Sequence, residues 1–115
     1  MMHRARRAAA VGVLGLAAVG LAACTSGPPT PTDPVLAKGQ QIYNNRCQAC
    51  HGPSGEGLTA PAFYGIAERM TLEQHEAVIA QGRDGTRMPA FADSLSQDDI
   101  EAVARYEREV IGVRN

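Results

Sequence analysis

The chain has 115 residues, 44% of them apolar and 20% charged, with a formal net charge of −1. That length holds one small domain, and an ordinary globular composition argues against wholesale disorder and against a polytopic membrane protein. No basic excess exists to displace phosphate counterions, which argues against nucleic acid as a partner; five aromatics and no Trp suggest that something besides side chains fills the core.

Residues 1–23 read as a signal peptide. Arg4, Arg6 and Arg7 precede the apolar run Ala8 to Ala23, which is too short and too alanine-rich for a permanent span. The run ends in Leu21-Ala22-Ala23-Cys24, which resembles the lipobox of bacterial lipoproteins. That resemblance implies cleavage before Cys24, a diacylglyceryl group on its sulfur and an acylated new amino terminus. An ordinary secretory signal or an uncleaved anchor is the alternative, with Cys24 incidental. The pair Arg6-Arg7 hints at twin-arginine export, but its flanking residues fit that signal poorly. Residues 24–34 carry four prolines between Thr25 and Pro34 and predict an extended, semi-stiff tether. Residues 35–115 remain as the single domain, without internal repeats. Without residues 1–23 the chain has 8 basic and 12 acidic residues, a charge of −4.

Three helices are predicted in the domain. Asp33-Pro34 supplies an N-cap and first-turn proline for a helix to about Arg46. Thr71 with Gln74 forms a capping box for Leu72 to Gln81, which ends at Gly82. Ser96 with Asp99 starts a last helix, Gln97 to about Val110, whose Ile100, Val103, Ala104, Val110 and Ile111 keep a helical period. No segment alternates like a strand. The Gly- and Pro-rich stretches Gly52 to Pro61 and Gly82 to Pro89 are long loops for so small a chain, and such loops usually surround something functional. The fold class is mostly α.

Cys47-Gln48-Ala49-Cys50-His51 is the C-x-x-C-H pattern of covalent haem attachment. Two thiols three residues apart can add to two vinyl groups of one haem, and the next residue then lies under the ring, where its imidazole can bind iron. Zinc would need further ligands at metal spacing, and no second Cys pair or His pair exists. A thioredoxin-like dithiol wants a βαβ setting, and a disulfide would close a strained four-residue loop. Three cysteines, one for lipid and two for thioethers, leave none over.

With these residues the domain resembles the class I c-type cytochromes over nearly all of residues 35–115. Gly39-x-x-Ile42-Tyr43 matches the family's first helix, whose glycine lets the last helix cross closely, with Tyr106 and Val103 packing into the crossing. Gly52, Gly55 and Gly57 match the tight turn after the attachment motif. Pro61 resembles the proline whose carbonyl accepts the Nδ1–H bond of the axial histidine. Gly85-Thr86-Arg87-Met88-Pro89 resembles the loop that brings the methionine ligand. The segment Phe63 to Met70 matches no particular subfamily. The resemblance implies a small cytochrome c-like fold of three main helices and long loops wrapped around one covalent haem c. Cys47 and Cys50 would form the thioethers, and His51 and Met88 would be the axial iron ligands.

Met70 and His75 are rivals for the sixth position. Met70 directly precedes the Thr71 cap, and His75 lies among Glu73, Gln74 and Glu76, where a solvated histidine is expected. Met88 itself has a bland reading as a core methionine. Phe63, Tyr64 and Phe91 are candidate pocket residues, with plain core packing as the alternative. Arg83 and Arg87 are candidate partners of a haem propionate, or else solvated loop residues. Arg46, beside the attachment motif, is a candidate docking residue. The acid-rich stretch Asp93 to Glu109 reads as the wet face of the last helix or a docking patch for a basic partner.

Two filled axial positions would leave no place for substrate, so the implied role is an electron carrier and not an enzyme. The reading is a monomeric, lipid-anchored monohaem carrier on the extracytoplasmic or periplasmic face of a bacterial membrane. It would pass single electrons between redox proteins such as a membrane dehydrogenase or oxidase complex. A dedicated haem subunit of one membrane oxidoreductase is the second reading, and a gas or redox sensor with a labile sixth site is the third.

Overall fold

The structure, a computed structural model, describes residues 27–113. The expected signal peptide and the Cys24 lipidation site lie outside the described residues. Asp33 caps the first helix with one carboxylate oxygen, which accepts from the backbone N–H of Val35 at 2.9 Å and Leu36 at 3.0 Å. That helix, α1, runs Pro34–Arg46, and a single turn, α2, covers Gln48–His51. A second single turn, α3, spans Ile66–Arg69 and occupies the stretch that matched no subfamily. The helices α4, Leu72–Gln81, and α5, Gln97–Tyr106, both open on complete capping boxes, at Thr71/Gln74 and Ser96/Asp99. Each box satisfies two N–H groups that a helix start otherwise leaves unpaired. The described residues contain no strand, and the architecture is mostly α.

The core forms where α1 crosses α5. Gly39 sits at the crossing: a Cβ there would lie 2.7 Å from Tyr106 Cβ and closer still to the Ala102 carbonyl oxygen. Only hydrogen fits between the two backbones. Tyr43 and Tyr106, both fully buried, pack with ring centres 5.5 Å apart, and Phe63 meets Tyr43 edge-on at 6.1 Å. Ile100, Val103 and Ala104 complete the buried stripe of α5. Lys38 also ties α1 to α5, its Nζ lying 2.6 Å from Asp99.

The end of the last helix departs from expectation. It does not continue as α-helix to Val110; Glu107–Ile111 forms a π-helical turn. Both Glu107, 2% exposed, and Ile111, 0% exposed, lie in the interior at the two ends of this turn. Gly112 closes it, since a Cβ there would lie 2.5 Å from the Glu107 carbonyl oxygen. Its own carbonyl accepts the N–H of Gly65 at 2.9 Å, which fastens this end to the start of α3.

The proline-rich segment is also fastened where a free tether was expected. Gln40 is buried between α1 and α5, and its amide needs an acceptor. It donates to the carbonyl of Pro28 at 2.9 Å, and Pro28 is itself buried. Among the described residues, packing against the helices therefore includes Pro28.

Candidate functional site

A cavity of about 910 Å³ lies among α2, the loop after it, α3, α4 and the loop that follows α4. It stands near the top of the range of ~300–1,000 Å³ common for ligand pockets. Cys47, Cys50 and His51 line it from α2 and its approach, and Met88 lines it from the loop between α4 and α5.

His51 is held by its surroundings. Its Nδ1 donates to the Pro61 carbonyl at 2.8 Å, which leaves Nε2 without a proton and free to act as a donor of its lone pair. The loop that carries Pro61 is folded back on α2 by backbone bonds. Gly57 N–H donates to the His51 carbonyl at 2.7 Å, and those of Leu58 and Ala60 both reach the Cys50 carbonyl. Gly52 begins the reversal at φ +88°, and its carbonyl accepts the buried Tyr43 hydroxyl at 2.6 Å. The ring of Phe63 lies 4.4 Å from that of His51, centre to centre.

The Met88 loop is equally determined. Thr86 Oγ1 donates to the Arg83 carbonyl at 2.7 Å and accepts the Met88 N–H at 3.2 Å. The Arg83 N–H returns to the Met88 carbonyl at 3.3 Å. Gly82, at φ +70°, lets this loop press on the end of α4, because a Cβ there would lie 2.8 Å from the Met88 carbonyl oxygen. The backbone of Met88 is thus pinned at both its N–H and its carbonyl.

Phe63, Phe91, Arg83 and Arg87 also line the cavity, as do Arg46 and Met70. Tyr64 does not. It lies in the turn after Phe63, and its carbonyl, with that of Ala62, accepts from the Arg69 guanidinium. His75 corrects a second expectation: it is 3% exposed and lines the cavity, with its ring 5.8 Å from Phe63. Glu107 corrects a third, for it is buried on the cavity wall and not on the wet face of the last helix. Arg105 and Glu109, by contrast, do pair on that outer face at 2.7 Å.

The donor set selects among bound groups. No three His, Cys, Asp or Glu side chains gather into a metal cluster among the described residues. Burial, with the charge and hydrogen bond of Glu107 acting the same way, holds the Cys47 thiol above the usual thiol range. A thiol kept protonated is a poor zinc ligand. The His51 imidazole, the thioethers of Met88 and Met70 and two thiols around a large, mainly apolar cavity fit a flat apolar macrocycle with a central iron.

The family profile described as "Cytochrome C oxidase, cbb3-type, subunit III" matches residues 34–106. The chain is 36% identical over 90 residues to the chloroplastic cytochrome c6 of Chlamydomonas reinhardtii, covering 71% of this chain and 59% of that protein. It is 38% identical over 90 residues to the cbb3-type cytochrome c oxidase subunit FixP of Bradyrhizobium diazoefficiens, covering 70% of this chain and 29% of that one. It therefore spans less than two thirds of the length of either. Among solved structures, the c-type cytochrome NirC superposes with a TM-score of 0.57 at 30% identity, over 71% of this chain and 99% of that one.

Proposed function

The chain belongs to the c-type cytochromes, in the family described as cytochrome c oxidase, cbb3-type, subunit III, and from that premise we propose that it is a monohaem electron carrier anchored to a bacterial membrane by lipid. Membership brings one covalently bound haem c, for which Cys47 and Cys50 have the attachment spacing. The haem supplies a one-electron store whose iron changes charge with little change in shape.

Cys47 and Cys50 would hold the haem through thioethers, and His51 would offer Nε2 to its iron. The observation that carries this reading is the 2.8 Å bond from His51 Nδ1 to Pro61, which orients the ring and raises its donor strength. Met88, pinned by Thr86 and Arg83, would supply a thioether to the iron. A soft thioether favours the ferrous state and raises the potential. Arg83 and Arg87, on the wall and exposed at its rim, stand where propionates can be paired.

Met88→Leu tests the assignment of the sixth ligand. The ferric protein is expected to lose the sulfur-to-iron charge-transfer band, and the ferrous protein to bind carbon monoxide quickly. An unchanged spectrum would move the role to Met70, which also lines the cavity.

Export and anchoring are supported by the charged start, the apolar run and the lipobox-like Leu21-Ala22-Ala23-Cys24. No helix among the described residues is long and apolar enough to cross a membrane. Several acyl chains, at about 0.8 kcal/mol per buried methylene, would hold the protein firmly. Cys24→Ser is expected to abolish labelling by radioactive fatty acid and to release the cytochrome from washed membranes. Labelling that persists in this variant would remove the anchor from the account. The redox partners are proteins such as a membrane dehydrogenase or oxidase complex. The FixP likeness favours, as the second reading, a fixed haem subunit of an oxidase, which would copurify stoichiometrically from gently solubilised membranes.

A further inference from the structure

An ionisable pair lies buried in the wall of the haem cavity, where an electron carrier has no evident need of one. His75 Nε2, from α4, is 2.8 Å from Glu107 Oε2, at the start of the π-helical turn, with side chains 4% and 2% exposed. His75 Nδ1 has no hydrogen-bond partner, and Glu107 Oε2 has none beyond its contact with His75. Removing two such groups from water costs several kcal/mol per charge, which close pairing only partly returns. Glu107 is also the residue at which the last helix widens into its π-helical turn, and such turns are frequent at functional positions.

From this geometry we infer that His75 and Glu107 together form a redox-linked proton site: the pair binds one proton when the haem iron is reduced and releases it when the iron is oxidised. This rests on the reading of the chain as a haem electron carrier. With the proton, the pair is neutral overall, as imidazolium with carboxylate or as imidazole with carboxylic acid. Without it, the pair carries a charge of −1. Loss of an electron adds one positive charge at the iron, across a medium of low dielectric, and favours the −1 form. The exchange balances as one electron leaving to a one-electron acceptor protein and one proton leaving the pair to solvent. Return of an electron takes the proton back.

The groups around the pair leave few rivals. The cavity-wall arginines Arg46, Arg69, Arg83 and Arg87 keep their charge at any pH of interest, as does Arg108, which donates to the Met70 carbonyl at 2.9 Å. Tyr43, on α1, is held above the usual phenol range by burial and then by the charge of Glu107. Cys47 and Cys50 are consumed by the thioethers, and His51 is committed to the iron. On α4, Glu76 is engaged outside the pair by Gln97 at 3.0 Å, and Glu73 is exposed. Thioether formation also removes the Cys47 S–H that otherwise donates to Glu107, so His75 remains its one charged partner among these groups. Only the haem propionates can titrate beside the pair.

The test is the midpoint potential of the haem-loaded protein against pH, by spectroelectrochemistry from pH 4.5 to 9.5. The wild type is expected to lose electron affinity with rising pH, approaching tenfold per unit (59 mV for one electron) inside a window of a few units. Glu107→Gln, which keeps the size and a hydrogen-bonding group, and His75→Gln should each flatten that window. A slope that survives both variants would assign the proton to the propionates and overturn the proposal, as would a flat wild-type curve. Should either variant fail to take up haem, the native protein decides: rapid oxidation in weakly buffered solution should release close to one proton per electron mid-window, and none overturns the proposal. Absence of any one-electron haem couple would instead sink the electron-carrier reading itself.

Discussion

Cys47→Ala/Cys50→Ala is expected to yield a colourless chain that has lost most of its helical circular dichroism. The cavity measures about 910 Å³ and its walls come from the end of α1, from α2, α3 and α4, and from Glu107 after α5. At ~24 cal/mol per Å³, keeping such a space dry and empty would cost about 20 kcal/mol. A domain this small has a total stability of only ~5–15 kcal/mol. Water entering the cavity would reduce the cost, but it would meet a mainly apolar wall. Folding without the macrocycle is therefore unfavourable, and the double variant should be cleared by proteases in vivo and unfolded in vitro. A haem-free double variant with native circular dichroism would show that the protein core stands alone. The same dependence suits export of an unfolded chain, with folding following haem attachment outside the cytoplasm.

Gly39→Ala should be the most damaging single substitution away from the cavity. Its new methyl group would meet the Ala102 backbone and Tyr106 Cβ at 2.7 Å, and neither belongs to a flexible side chain that can swing aside. The helices would have to separate, loosening the Tyr43–Tyr106 contact and the donation from Tyr43 to Gly52 that begins the loop under His51. A cost of at least about 3 kcal/mol is expected for this overpacking. That corresponds to roughly 10–20 °C in thermal midpoint for a domain of this size. Thermal unfolding followed in the haem band checks it, and a midpoint within a few degrees of wild type would show that α1 and α5 can part at little cost.

What could be read from the chain depended on how local its cause is. The helix starts at Asp33, Thr71 and Ser96 were legible because each cap involves neighbours within three residues. The attachment motif was legible because its chemistry fixes both residue types and spacing. Features set by distant packing were not. Tyr64 and Phe63 look alike in sequence, yet only Phe63 lines the cavity, because the chain turns at Tyr64. Pro28 reads as tether until Gln40, 12 residues on, is seen to need its carbonyl. His75 and Glu107 were assigned to solvent on charge alone, although periodicity pointed inward. His75 falls in step with Leu72 and Ile79, and Glu107 with Ile100, Val103, Ala104 and Ile111. A charged residue on an otherwise apolar helical stripe is a signal in its own right.

The measurement closest to the centre of the account is the intact mass of the mature protein after acid denaturation and organic extraction, with a pyridine haemochrome assay on the same sample. One haem should remain bound per chain, with the spectrum of a macrocycle whose two vinyl groups are saturated by thioethers. Haem that extracts into solvent, or a chain of bare polypeptide mass, would contradict covalent attachment at Cys47 and Cys50 and with it the proposed role.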